Sequence, residues 1–100
     1  MAATGLAKQL EALGNETRLA ILQLLAKAGK KGINVGEINK VMEIPPSTLS
    51  HHIAKLANCG LLRQERKGRA ILCTARSDQM DALVMFLAEN CCGEDSEIWA

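Results

Sequence analysis

The sequence predicts a mainly α-helical fold carrying one small β-hairpin, and three observations predict it. Aromatic residues make up 2% of the chain, Phe86 and Trp99 alone, so the core must be assembled from Leu, Ile, Val, Met and Ala, which suits helices better than a sandwich of strands. Apolar residues recur at helical spacing through most of the length, in runs separated by Gly, Asn and Pro. After Gly60 that spacing gives way to two short runs on either side of Lys67-Gly68, the composition of a hairpin turn.

The first helix rests on Leu6, Leu10 and Leu13, and Gly14-Asn15 stops it. Asn15 is a good N-cap and Glu16 suits a first turn, so a second helix is expected to run through Leu19, Leu22 and Leu25 to Gly29. Gly29-Lys30-Lys31-Gly32 reads as the connecting loop. Val35, Ile38, Val41 and Met42 mark a third helix ended by Pro45-Pro46, and Pro46 suits the first position of a fourth, where a missing N–H costs nothing. The fourth helix puts Leu49, Ile53 and Leu56 on one side and closes at Gly60, so the third and fourth form a helix-turn-helix. The hairpin, Leu61–Arg66 and Arg69–Thr74 around Lys67-Gly68, is then a wing. Ser77 or Asp78 is expected to cap a fifth helix whose stripe of Met80, Leu83, Val84, Leu87, Ala88 and Cys91 follows helical spacing without a miss and ends between Asn90 and Gly93. The expected architecture is a winged helix-turn-helix of five helices and a two-stranded wing.

One hundred residues make a single domain with a modest core, which makes a dimer attractive. Lys8, Glu11, Glu16 and Arg18 interrupt the first thirty residues, so neither a secretory signal nor a membrane span is expected. Four cysteines in a chain with helical periodicity fit free thiols in a reducing cytoplasm better than a disulfide scaffold. The net charge is only +1, but its distribution is uneven. Residues 63–76 carry five cations, Arg63, Arg66, Lys67, Arg69 and Arg76, against one carboxylate, whereas residues 77–100 carry six carboxylates and no Lys or Arg.

Three motifs in order carry a family resemblance. Leu10-Glu11-Ala12-Leu13-Gly14-Asn15-Glu16-Thr17-Arg18-Leu19-Ala20-Ile21-Leu22 resembles the opening signature of ArsR-type repressors; Ser47-Thr48-Leu49-Ser50-His51-His52-Ile53-Ala54-Lys55-Leu56 resembles that family's recognition helix; and Cys59-Gly60-Leu61-Leu62, followed by basic residues around Gly68, resembles its strand and wing. The resemblance spans about residues 6–92. It implies a recognition helix lying in the major groove of double-stranded DNA, with Ser47, Thr48, Ser50, His51 and Lys55 facing the duplex, and wing residues Arg66, Lys67 and Arg69 on phosphates or in the minor groove. His52 lies near the inward stripe and is expected to pack. The resemblance further implies a homodimer through the first and last helices, which suits the stripes of Leu6, Leu10 and Leu13 and of Leu83, Val84 and Leu87, and hence an inverted-repeat operator. Residues 1–92 then form the DNA-binding and dimerisation domain, and 93–100 an acidic, mobile tail.

The chain departs from the family pattern in its sensing chemistry. Many relatives have Cys-Val-Cys-Asp in the third helix where this chain has Asn34-Val35-Gly36-Glu37, and no histidine in the last helix offers a zinc site. Glu16 and Pro45 replace an expected Pro and Ser, which alters caps. Some arsenic-sensing relatives end the last helix in a similar Asn-Cys-Cys, followed by a third cysteine that is missing here. Cys91 and Cys92 are therefore the candidate metal ligands, for a thiophilic inducer such as trivalent arsenic or antimony, which take three thiolates. Cys73, Cys59, the partner subunit or a small exogenous thiol could supply the third; Cys59 reads as core. A redox or persulfide switch at the same pair, and packing without any inducer, remain open alternatives, although a disulfide between neighbours is strained. No cofactor is required. An enzyme is disfavoured, because the chain has no Cys-x5-Arg phosphate loop, no glycine-rich nucleotide motif and no His or carboxylate placed to serve Cys91-Cys92 as a positioned base. A winged helix that binds protein instead of DNA would bind without steep salt dependence.

Overall fold

The structure, a computed structural model, describes residues 3–93. Its elements are α1 (Ala3–Leu13), α2 (Glu16–Ala28), a 3-10 turn (Gly29–Lys31), β1 (Ile33–Asn34), α3 (Val35–Met42), α4 (Pro46–Asn58), β2 (Leu62–Lys67), β3 (Ala70–Ala75) and α5 (Ser77–Asn90). Of the expected tail, only Gly93 is among the described residues. No described helix is long and apolar enough to cross a membrane.

The five helices follow from local chemistry. The Gly14 N–H closes α1 on the Leu10 carbonyl at 2.9 Å, and the Asn15 side chain caps α2 by accepting from the Arg18 N–H at 3.0 Å. Ile21, Leu22 and Leu25 then face a core completed by Ile38 of α3, Leu49, Ile53 and Leu56 of α4, and Leu61, Leu62 and Cys73 of the sheet region. This aliphatic cluster contains no aromatic side chain, as the composition requires.

The sheet has three strands, in the order β1-β3-β2, where a two-stranded wing is expected. The added strand pairs Ile33 with Cys73 and Asn34 with Leu72. Asn34 doubles as the cap of α3, its side chain accepting from the Glu37 N–H at 2.9 Å. Two residues are too few to leave a period-two signature, so this strand is invisible to pattern reading. The hairpin is also shifted by one residue: Lys67 pairs with Ala70 as the last residue of β2, and Gly68-Arg69 forms the turn. Gly68 has φ +62 while Arg69 stays at negative φ, which matches a type II′ turn with glycine first. Nor do Ser77 or Asp78 cap α5; its N-cap is Arg76, which makes no side-chain capping bond but whose N–H donates to the Leu61 carbonyl at 2.9 Å.

The terminal stripes divide between two uses. Leu6 and Leu83 are buried within the protomer and Leu13 packs on its core, whereas Leu10 and Val84 are each 43% exposed and Met85 57%. A buried amide ties these helices together: Gln9 Nε2 on α1 donates to the Cys59 carbonyl at 3.0 Å and to Gln79 Oε1 on α5 at 3.3 Å.

Candidate nucleic-acid interface

The turn between α3 and α4 sets how the recognition helix is presented. Glu43 ends α3 in the left-handed region, at φ 52 and ψ 45, with its N–H donating to the Asn39 carbonyl at 2.9 Å. Asn39 Nδ2 reaches forward to the Ile44 carbonyl at 2.7 Å, and Pro46 starts α4 at a position that needs no N–H donor. Ile38 and Leu49, both fully buried, anchor the two helices in the same core. A non-glycine residue in the left-handed region is strained. Glu43→Gly is therefore expected to stabilise the fold by about 0.5–1 kcal/mol, read as a rise of a few degrees in Tm.

On α4 the inward positions Leu49, Ile53 and Leu56 turn Ser47, Thr48, Ser50 and His51 outward, all exposed near the N-terminal end of the helix. Hydroxyls and an imidazole at these positions can donate or accept at base edges and phosphates. Lys55 does not join them as a free cation. It lies on the flank meeting α1, half-buried, with Nζ 3.1 Å from Glu11 Oε1. That hydrogen bond, reinforced by the lysine charge, holds the Glu11 carboxyl below its ordinary value. The family resemblance implies Lys55 as a DNA contact, and the carboxylate it meets comes from a residue 44 positions away.

The wing supplies the cations, on different faces. Direct pairing with Ile71 puts Arg66 on the face that carries Leu62 and Cys73, while Lys67 points the opposite way and sits 3.6 Å from Glu65. Arg69 occupies the turn itself. Arg66 and Arg69 are exposed, and neither takes part in an ion pair among the described residues. An exposed Lys–Glu pair contributes little, roughly 0–1 kcal/mol, so Lys67 can exchange Glu65 for a phosphate at small cost.

Sequence reading missed the support behind the recognition helix. Arg18 on α2 is only 8% exposed; its Nε donates to the Ala12 carbonyl at 2.6 Å, and Nη1 lies 3.1 Å from His52 Nδ1 on α4. Burial, then the Arg18 charge, then His51 push the His52 pKa below 6.5. The arginine in the opening motif was the available signal, but no local pattern names its partner.

The cysteines separate into two settings. Cys91 is the C-cap of α5, exposed, with its N–H on the Leu87 carbonyl at 2.9 Å, and Cys92 follows, half-buried. The helix thus ends where Gly93 implied. Cys73 is fully buried in the core, and burial pushes its thiol up to about 11. Among the described residues no group of three His, Cys, Asp or Glu side chains converges on a metal position, so the protomer does not bring Cys73 to Cys91 and Cys92.

A helix-turn-helix with an exposed polar recognition helix, flanked by a basic hairpin, defines a DNA-binding winged helix-turn-helix protein. The comparisons agree. A helix-turn-helix domain model matches residues 13–65. The transcriptional activator HlyU of Vibrio cholerae is 31% identical over 83 residues, covering 83% of this chain and 74% of its own length. The crystal structure of the ArsR family transcriptional regulator RHA00566 superposes with a TM-score of 0.80 at 25% identity, over 99% of this chain and 94% of that one. The homodimeric winged helix-turn-helix DNA-binding domain Mb0332 of Mycobacterium bovis, a possible ArsR-family regulator, gives a TM-score of 0.70 at 26% identity, over 94% and 87%. The chain belongs to the ArsR family of winged helix-turn-helix transcription regulators.

Proposed function

We propose that this chain is a homodimeric repressor, acting in the cytoplasm and without catalytic activity, that binds an inverted-repeat operator through α4 and the wing. The observation that carries this reading is the presentation of Ser47, Thr48, Ser50 and His51 on one exposed end of α4, with Arg66 and Arg69, exposed cations that form no ion pair among the described residues, on the adjoining hairpin. Leu10, Val84 and Met85, apolar yet exposed on the first and last helices, support dimerisation through those helices, as does the homodimeric state of the Mycobacterium bovis relative. Two-fold symmetry of the protein then asks for two-fold symmetry in the operator.

The proposed inducer is a thiophilic ion, trivalent arsenic or antimony, taken by Cys91 and Cys92. Both thiols sit where α5 stops, so their backbone is freed from the 100° divergence of adjacent helical residues. The buried, high-pKa Cys73 is a poor third donor, which leaves a partner-subunit or exogenous thiol for that role. Occupancy would act by linkage, favouring a dimer geometry whose recognition helices no longer match the half-site spacing. The exposure of Cys91 also suits attack by an oxidant or persulfide, and the same experiment separates the two.

Fluorescence anisotropy on DNA from upstream of the chain's own gene is the test, with arsenite, antimonite or an organic persulfide added, for wild type and for the double variant Cys91→Ser/Cys92→Ser. The expected result is release of wild type by arsenite or antimonite alone and no release of the variant. Release by persulfide alone replaces the metalloid with a redox signal, and equal responses of both proteins remove the cysteines from sensing.

A further inference from the structure

Arg18 is a buried cation that makes no ion pair among the described residues. Its guanidinium has five N–H donors, no acceptor and no accessible neutral form, so every partner must accept from it. One acceptor is the Ala12 carbonyl at the end of α1, and the other is His52 Nδ1 on the recognition helix. A single side chain thereby links α1, α2 and α4. The contact dictates the histidine tautomer: Nδ1 carries the lone pair and Nε2 the proton.

We propose that Arg18 is a positioning residue for DNA binding, holding the recognition helix through His52, and that the link lasts only while the His52 imidazole is neutral. A proton on Nδ1 removes the acceptor and sets a second cation 3.1 Å from the buried guanidinium. The charged groups that act on His52 are Arg18 and His51. Arg18 faces it from α2 and the ring of His51 lies beside it on α4, 5.9 Å away between centroids, and both oppose protonation. On α1, Glu11 accepts from Lys55, and no carboxylate is among the groups that shift His52. A histidine whose folded pKa lies below its unfolded value contributes stability that is complete above pH 6.5 and erodes as the pH falls through the folded pKa. The docked recognition helix therefore loosens on acidification.

This inference rests on the DNA-binding reading, so its test has one arm without DNA. Nitrogen-15 NMR of the full chain is expected to show His52 as the Nε2–H tautomer at pH 7.5, titrating with a midpoint below 6.5. An Nδ1–H tautomer, or a midpoint at or above that value, overturns the proposal whatever the DNA result. The second arm compares operator affinity at pH 7.5 and 5.5 in His51→Gln, which leaves His52 as the sole histidine of the chain, and in His51→Gln/His52→Asn, whose amide oxygen replaces Nδ1 as acceptor and cannot be protonated. The first protein is expected to lose about three- to tenfold in affinity and the second less than about twofold, one pKa unit of coupling being a tenfold effect. Parallel pH profiles, with both proteins still folded by circular dichroism, contradict the link.

Discussion

Replacing Arg66 and Arg69 together by alanine is expected to weaken operator binding about 10- to 100-fold near 100 mM salt, and to lower the slope of log affinity against log salt by about two units for each protomer on the duplex. Each phosphate contact releases a condensed counterion, so cations lost from the interface appear directly in that slope. Both arginines are exposed and form no ion pair among the described residues, so stability should change by less than about 0.5 kcal/mol. Titrations of the duplex at several salt concentrations measure the effect. Lys55→Ala is the internal comparison: its ammonium lies 3.1 Å from Glu11, a pair that must open before Lys55 meets a phosphate, so its effect on the slope should be the smaller. A slope that falls as much for Lys55→Ala as for an arginine would return Lys55 to the interface.

Gly32→Ala carries the largest expected loss of stability, about 3 kcal/mol or more by urea denaturation. Gly32 holds φ 72 and ψ 179, a region essentially reserved for glycine. A Cβ there would lie 2.7 Å from the Cys73 carbonyl oxygen and 2.8 Å from Thr74 Cγ2. One of those atoms is backbone in the central strand, so neither a rotamer change nor a small shift relieves the clash. The damage should reach the interface, because Gly32 leads into β1, and β1 braces both the wing strand β3 and the start of α3. A mild cost, below about 1 kcal/mol, would mean that the chain crosses β3 by another path.

These two sites mark where sequence reading works and where it stops. The outward placement of Ser47, Thr48, Ser50 and His51 was legible because, once Leu49, Ile53 and Leu56 are inward, the rest follows from 3.6-residue geometry, whereas their role at DNA is what the family resemblance implies. The Asn15 cap and Pro46 at the first turn are also local signals, and both stand in the structure. What depends on distant partners was not legible. Lys55 is occupied by Glu11, Arg18 reaches His52, Ile33 pairs with Cys73, and Leu6 and Leu83 close over their own protomer, each fixed by a contact that no spacing encodes. The one-residue shift of the hairpin has a similar cause, since Gly68 can serve as either central residue of a two-residue turn and strand pairing decides which.

The central claim, a family regulator that reads DNA as a symmetric pair, is tested most directly by one titration. Wild-type protein is added to a labelled duplex from upstream of its own gene carrying an inverted repeat, and to the same duplex with one half-site scrambled, while anisotropy reports affinity and stoichiometry. Two chains per intact duplex, a preference for it of at least about tenfold, and affinity that falls steeply with salt are expected. One chain per duplex, equal affinity for both, or binding indifferent to salt would contradict the claim.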